Sequence, residues 1–290
     1  LEVVITKLHA GAKFGQGGYK VASGLHGVGV SAVNALSEWL EVSVRRDGQI
    51  FRQKYTRGNP KSDVTPVGKY PKDERTGTTV SFLPDKQIFK EIDYKFDVLT
   101  QRFREMAFLT RGLTIAFKDA RDGRAITFYF EGGITSFVRY LNKNRNAIHA
   151  PFNAARQVNG SNIEVAIQYT DAYGESTYTF ANNINTVDGG THLTGFRTAI
   201  TRTLNDYARK ANLLKESDAN LTGDDVREGL TAIVSVKLQE PQFESQTKAR
   251  LGNAEIKTQV EQVVTESFSQ FLEEHSKEAK EIVRKCLTTA

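Results

Sequence analysis

Two stretches of the same form, Arg46-Asp47-Gly48 and Arg121-Asp122-Gly123, each sit between alternating or β-branched runs. Asp-Gly in that setting closes a tight turn whose twist matches the flanking strands, so each stretch predicts an antiparallel hairpin. The strands expected are 40–45 with 50–55, and 113–118 with 125–130. A further strand over 78–83 and a helix over 94–108 place helices against sheet, an α+β layer arrangement.

From Glu131-Gly132-Gly133 the pattern restarts. A helix is expected over 134–141, a hairpin from 163–169 into 176–180, and a long helix from Thr191, which follows Asp188-Gly189-Gly190 and is read as its N-cap. Phe196, Ile200, Leu204 and Tyr207 then form one stripe at helical spacing. A strand over 231–238, a loop over 239–250 and a helix over 254–274 close the chain. The stretches 57–76 and 141–160 read as irregular. A boundary near 130 therefore divides 1–130 from 131–290, in keeping with the two domains that 290 residues suggest.

Composition narrows the class. With 39% hydrophobic and 25% charged residues and 6 Pro, disordered and collagen-like chains are excluded. One cysteine, Cys286, cannot form an internal disulfide, which favours a reducing, cytoplasmic location. No apolar run approaches the ~18 residues of a spanning helix, so no membrane role is expected. The net charge of +5 is uneven: residues 1–130 hold 21 Lys/Arg against 14 Asp/Glu, and residues 131–290 hold 18 against 20. A basic first half suits an anionic ligand such as nucleotide or nucleic acid.

The sharpest local feature is Gly24-Leu25-His26-Gly27-Val28-Gly29, which opens a short, mostly apolar helix (Val30, Ala32, Val33, Ala35, Leu36) expected to be buried. Glycines there let backbone N–H groups converge without a Cβ in the way, and the helix start adds partial positive charge. Phosphate is the natural occupant, with Lys13 and Lys20 on the preceding glycine-rich, mobile loop able to close over it. A tight turn with close helix packing is the bland alternative. Gly27 and Gly29 also fit a dinucleotide fingerprint, which requires a buried strand just before the glycines; a Walker A loop is excluded because Lys-Ser/Thr does not follow. Thr76-Gly77-Thr78 offers hydroxyls before a strand, and Gln246-Thr247-Lys248 a donor amide and a cation in a loop. The five histidines show no metal-ligand spacing.

Together, His9 to Phe14, Tyr19-Lys20-Val21, Ser23 to Gly29, Val33 to Ser37, Thr76-Gly77-Thr78, Glu131 to Ile134, Asp188 to His192, Gly223 to Leu230 and Gln246-Thr247-Lys248 closely resemble, in order, the ATPase subunit of the bacterial type IIA topoisomerases. The gyrase B branch is preferred to topoisomerase IV. The resemblance implies a GHKL (Bergerat) ATPase domain, here its C-terminal part over 1–130, followed by a ribosomal-protein-S5-like transducer over 131–290. It implies that ATP is contacted by Lys13, Tyr19, Gly24, Leu25, His26, Gly27, Val28, Gly29 and, near adenine, Thr78. Gln246 and Lys248 would reach the γ-phosphate, Lys248 acting in catalysis, and Arg197 would line a cavity through which DNA passes.

Further implications are magnesium, whose ligand is expected upstream of residue 1 with the general base and the adenine-binding aspartate, a gyrase A partner in a heterotetramer of two A and two B chains, and dimerisation on ATP binding. The opening Leu1 to Ile5 reads as an element already under way, so this chain alone is expected to have little ATPase activity. No magnesium-binding cluster for DNA cleavage and no cleaving tyrosine are expected in it. A nicotinamide-dependent oxidoreductase, and a non-catalytic module that only dimerises or contacts DNA, are the competing readings.

Overall fold

A computed structural model of the chain describes residues 1–8, 10, 27–71 and 73–289. It divides into two compact units, Leu1–Lys95 and Phe96–Ala290.

In the first unit a short helix α1 (Glu2–Thr6) and a second helix α2 (Gly29–Ala35) precede strands β1 (Ser37–Arg46), β2 (Gln49–Thr56), β3 (Asn59–Pro60), β4 (Thr65–Lys69) and β5 (Gly77–Pro84). The sheet order is β3-β2-β1-β5, with β4 also on β2. Arg46 pairs with Gln49 across a two-residue turn in which Asp47 and Gly48 have φ of 53° and 75°. Both central residues in the left-handed region is what Asp-Gly supplies. Ile5, Leu40, Val42 and Tyr55 form the buried cluster, with Val30 and Val44 packed on it. The helix over 29–35 buries only Ser31 and Asn34, whose amide donates to Ile5 O and Gly58 O (3.4 and 3.2 Å). Val33 and Leu36, expected in a core, are exposed. The correction follows from the anchor: the polar Asn34 fastens the helix, which keeps Val30 against the cluster and turns Val33 and Leu36 outward.

The second unit carries α3 (Phe96–Leu109), β6 (Ile115–Lys118), β7 (Ala125–Phe128), α4 (Ile134–Leu141), β8 (Phe152–Val158), β9 (Ser161–Tyr169), β10 (Ser176–Ala181), β11 (Ile184–Asn185), α5 (Thr191–Lys210), α6 (Gly223–Arg227), β12 (Leu230–Lys237), α7 (Ala254–Glu274) and α8 (Ser276–Thr289). The main sheet has the order β11-β10-β12-β9-β8. The hairpin expected from 163–169 into 176–180 is not formed: β12 lies between these strands, parallel to β10 and antiparallel to β9. Strand β9 instead turns back on β8 through Asn159 and Gly160, with φ of 46° and 83°.

Strands β9 and β12 are apolar on both faces because both faces are covered. Val165, Ile167, Val234 and Val236 meet Phe196, Ile200, Val260 and Phe268 of α5 and α7 in one cluster, while Ala166 and Ile233 meet Phe108, Phe137 and Val138 of α3 and α4 in another. That second cluster explains why the compact unit begins at 96, whereas the sequence pattern restarts near 130: α3 packs with α4, so 96–130 belongs to the second unit. The α3 and β6–β7 elements appear as expected, but the second Arg-Asp-Gly turn is wider, spanning 119–124. Asp119 accepts from both backbone and side chain of Arg121, which holds its carboxyl down at about 2. The final helix α8 buries Ala279, Ile282, Val283 and Cys286, and burial pushes the Cys286 thiol up to about 12. No described helix is long and apolar enough to cross a membrane.

Candidate functional site

Lys13, Tyr19, Gly24, Leu25 and His26, and the strand that an oxidoreductase would need before Gly24, lie outside the described residues. Of the glycine loop, Gly27, Val28 and Gly29 are described. Gly27 has φ of 59°, Val28 is the N-cap of α2, and Gly29 opens the helix. A Cβ on Gly29 would meet nothing within 4 Å among the described residues, and the first N–H groups of a helix have no partner inside it. Thr78 lies in the same unit, exposed on β5 and paired with Val44 of β1. Beyond α2, an apolar groove of about 290 Å³ is lined by Val33, Leu36, Phe82, Phe89, Ile92 and Tyr94.

The second unit holds Gln246 and Lys248 in a loop that is fixed at many points. Gln242 N–H donates to Asn253 Oδ1 (2.7 Å), Gly252 N–H to Gln242 O (2.7 Å) and Glu244 N–H to Arg250 O (3.1 Å). Asn253 is buried and is the N-cap position of α7. Across from it, Asp188 N–H donates to Ala249 O (2.9 Å), Leu251 N–H to Gly189 O (3.1 Å) and Thr191 N–H to Leu251 O (3.0 Å). The loop is thus laced to the turn that starts α5. Gly190 makes this possible: its φ is 134°, and a Cβ there would sit 2.3 Å from Leu251 O. Gly190, not Thr191, occupies the N-cap position, and Thr191 is the first helical residue. At the tip, Lys248 has φ of 58°, an uncommon conformation for a residue with a side chain, held by its N–H donating to Ser245 O (3.0 Å).

Below the turn, His192 is fully buried, with Nε2 2.9 Å from Thr186 Oγ1, and burial lowers its pKa to about 4. Arg197, one helical turn further along α5, is half-buried. Its Nη2 donates to both oxygens of Glu175 (2.9 and 3.0 Å). Arg227 Nε donates to Glu175 Oε2 (3.1 Å), and the Arg227 guanidinium also meets Asp224. Sequence reading named Arg197 and gave no role to Glu175, Arg227, Asn253 or Gly190; Gly190, inside Asp188 to His192, and Arg227, inside Gly223 to Leu230, lie in the quoted motifs, whereas Glu175 and Asn253 left no local signal. Among the described residues no group of three or more His, Cys, Asp or Glu side chains could hold a metal.

The family model described as DNA gyrase B matches residues 133–290. The DNA gyrase B of Halalkalibacterium halodurans is 52% identical over 290 residues, 99% of this chain and 45% of that protein. The chain thus spans about half the length of this curated relative. Among solved structures, the 43K ATPase domain of Thermus thermophilus gyrase B, in complex with an aminocoumarin, is similar with a TM-score of 0.84 at 39% identity, over 100% of this chain and 74% of that one. The topoisomerase IV ATP-binding domain of Francisella tularensis, with a small-molecule inhibitor, is similar with a TM-score of 0.78 at 28% identity, over 98% of this chain and 75% of that one.

Proposed function

Since the chain belongs to the DNA gyrase B family and has the α+β fold of its GHKL ATPase domains, we propose that it is the nucleotide-responsive, energy-transducing part of a bacterial type II DNA topoisomerase. In this reading 1–130 is the C-terminal part of the ATPase domain and 131–290 the transducer, a division supported by a family match that begins at 133. ATP binding closes a dimer gate on DNA and hydrolysis resets it, in the cytoplasm and in partnership with gyrase A. Higher identity to gyrase B than to the topoisomerase IV domain supports supercoiling over decatenation.

Gly24, Leu25, His26, Gly27, Val28 and Gly29 surround the phosphates, Lys13 and Tyr19 contact the nucleotide, and Thr78 meets the adenine end. Magnesium would be held by a ligand upstream of residue 1, and there it would neutralise phosphate charge. The observation that carries the reading is the Gln246–Lys248 loop, fastened to the start of α5 and presenting Lys248 at its tip. A cation placed on the γ-phosphate distinguishes ATP from ADP, and a ligand shifts a domain equilibrium only through contacts that differ between its states. The same cation stabilises charge on the departing phosphoryl group.

The test is Lys248→Ala in a complete gyrase B protein. Nucleotide binding should persist while turnover falls by about 10²–10³-fold, the range for losing one donor to a developing charge. Near-normal ATPase activity would sink this role. Arg197 serves the DNA side, and Arg197→Gln should remove DNA stimulation of turnover while sparing the basal rate.

A further inference from the structure

We propose that Glu175 is an internal competitor for the DNA phosphate on Arg197: it occupies the guanidinium when DNA is absent and hands it over when a phosphate arrives. The inference rests on the reading of Arg197 as a DNA-backbone contact. A carboxylate that takes two hydrogen bonds from one guanidinium group stands where a phosphate would stand. Glu175 does this to Arg197 at 2.9 and 3.0 Å, from the loop between β9 and β10.

Two details make the pair exchangeable rather than fixed. First, Arg227 Nε holds Glu175 Oε2 at 3.1 Å, so release of Arg197 does not strand a carboxylate. Breaking a buried pair is expensive mainly because it leaves one charge unpaired, and here the third member prevents that. Second, Arg197 Nε is buried without a hydrogen-bond partner among the described residues. The arginine is incompletely satisfied in its present pose and gains by turning outward. Beside it, a groove of about 530 Å³ along α5 is lined by Arg197, Thr198, Thr201, Arg202 and Asp206 among others. Arg202 is likewise tied, to Glu261 at 2.9 Å. Its partner lies on α7 and has no second arginine among the described residues, so Arg202 lacks the exchange device.

Glu175 is therefore a positioning residue that sets how much DNA charge the patch can see. The measurement is binding of a short duplex DNA to the chain by fluorescence anisotropy, between roughly 50 and 200 mM salt. Glu175→Gln should tighten binding about threefold, the scale of a partly exposed ion pair. The slope of log K against log salt should stay the same, because Arg197 meets one phosphate in both proteins and only the cost of releasing it differs. The tightening should vanish when Arg197→Gln is present, because the competition needs both partners.

Equal tightening in both backgrounds would mean mere removal of a negative charge and would overturn the proposal, as would unchanged or weaker binding in Glu175→Gln. If Glu175→Gln disturbs folding, seen as a lower Tm, Glu175→Ala is read in the same cycle. Arg197→Gln alone separates the two levels: if it leaves DNA binding intact, the Arg197 reading fails first. If it weakens binding while Glu175→Gln does nothing, only the competition fails.

Discussion

The two compact units use apolar residues in opposite ways. In the second, both faces of the sheet are covered and β9 and β12 are buried nearly end to end. In the first, one small cluster around Leu40, Val42 and Tyr55 is buried, while Trp39, Val80, Phe82, Val33 and Leu36 remain exposed. Strand β5 has β1 as its one sheet neighbour among the described strands. Monomeric soluble proteins seldom leave contiguous apolar surface of this kind without a use for it. The difference teaches where stability resides: the second unit is a self-sufficient core, and the first is a sheet with apolar surface to spare.

The largest test of that contrast is Phe196→Ala. Removing a fully buried ring should destabilise the second unit by about 3–5 kcal/mol and lower its calorimetric transition while leaving that of the first unit in place. A single transition that moves as a whole would break the comparison.

Acid sharpens it next. Burial depresses the pKa of His192 from 6.5 to about 4, and that of His149 in the same direction. The unfolded chain therefore binds protons that the folded one refuses, so the stability from neutral His192 is complete above pH 6.5 and is lost as pH falls towards 4. For His192 the loss is on the order of 3 kcal/mol. Urea unfolding at pH 7 and pH 4.5 should show it in the second unit, and His192→Phe should flatten it. The first unit has no histidine among its described residues and should respond little.

The smallest effect belongs to Leu36→Ser, within about 0.5 kcal/mol on the first unit, as for an ordinary surface position. A loss of several kcal/mol by thermal unfolding would show that Leu36 is covered in solution and erase the contrast.

Local grammar carried much of the fold. The Asp-Gly turn of β1–β2, the stripe through Phe196, Ile200 and Leu204, and the bounds of α4 and α7 follow from turn chemistry and helical spacing. Strand order did not follow, because β12 enters between β9 and β10 from far along the chain and nothing near residues 163–180 encodes its arrival. The stretch after α4 looked irregular for a related reason. Its second half is in fact strand β8, whose inward alternation stops after Phe152 and Ala154, and its first half is held by distant polar partners, Asn142 with Gln168 (2.9 Å) and Thr231 (2.7 Å). In the candidate site, Arg197 and Lys248 were singled out through family resemblance, whereas the contact between Glu175 and Arg227, 52 residues apart, exists only in three dimensions.

The lacing of the Lys248 loop has a consequence in entropy. Ordering a flexible segment around an incoming anion consumes about 1–2 kcal/mol per residue of backbone freedom, a loss that a free loop would subtract from every binding event. Here the hydrogen bonds from Gln242, Gly252, Leu251 and Asp188 settle that loss during folding. The lysine's backbone is already placed by folding, so what an arriving anion would still have to order is the side chain alone.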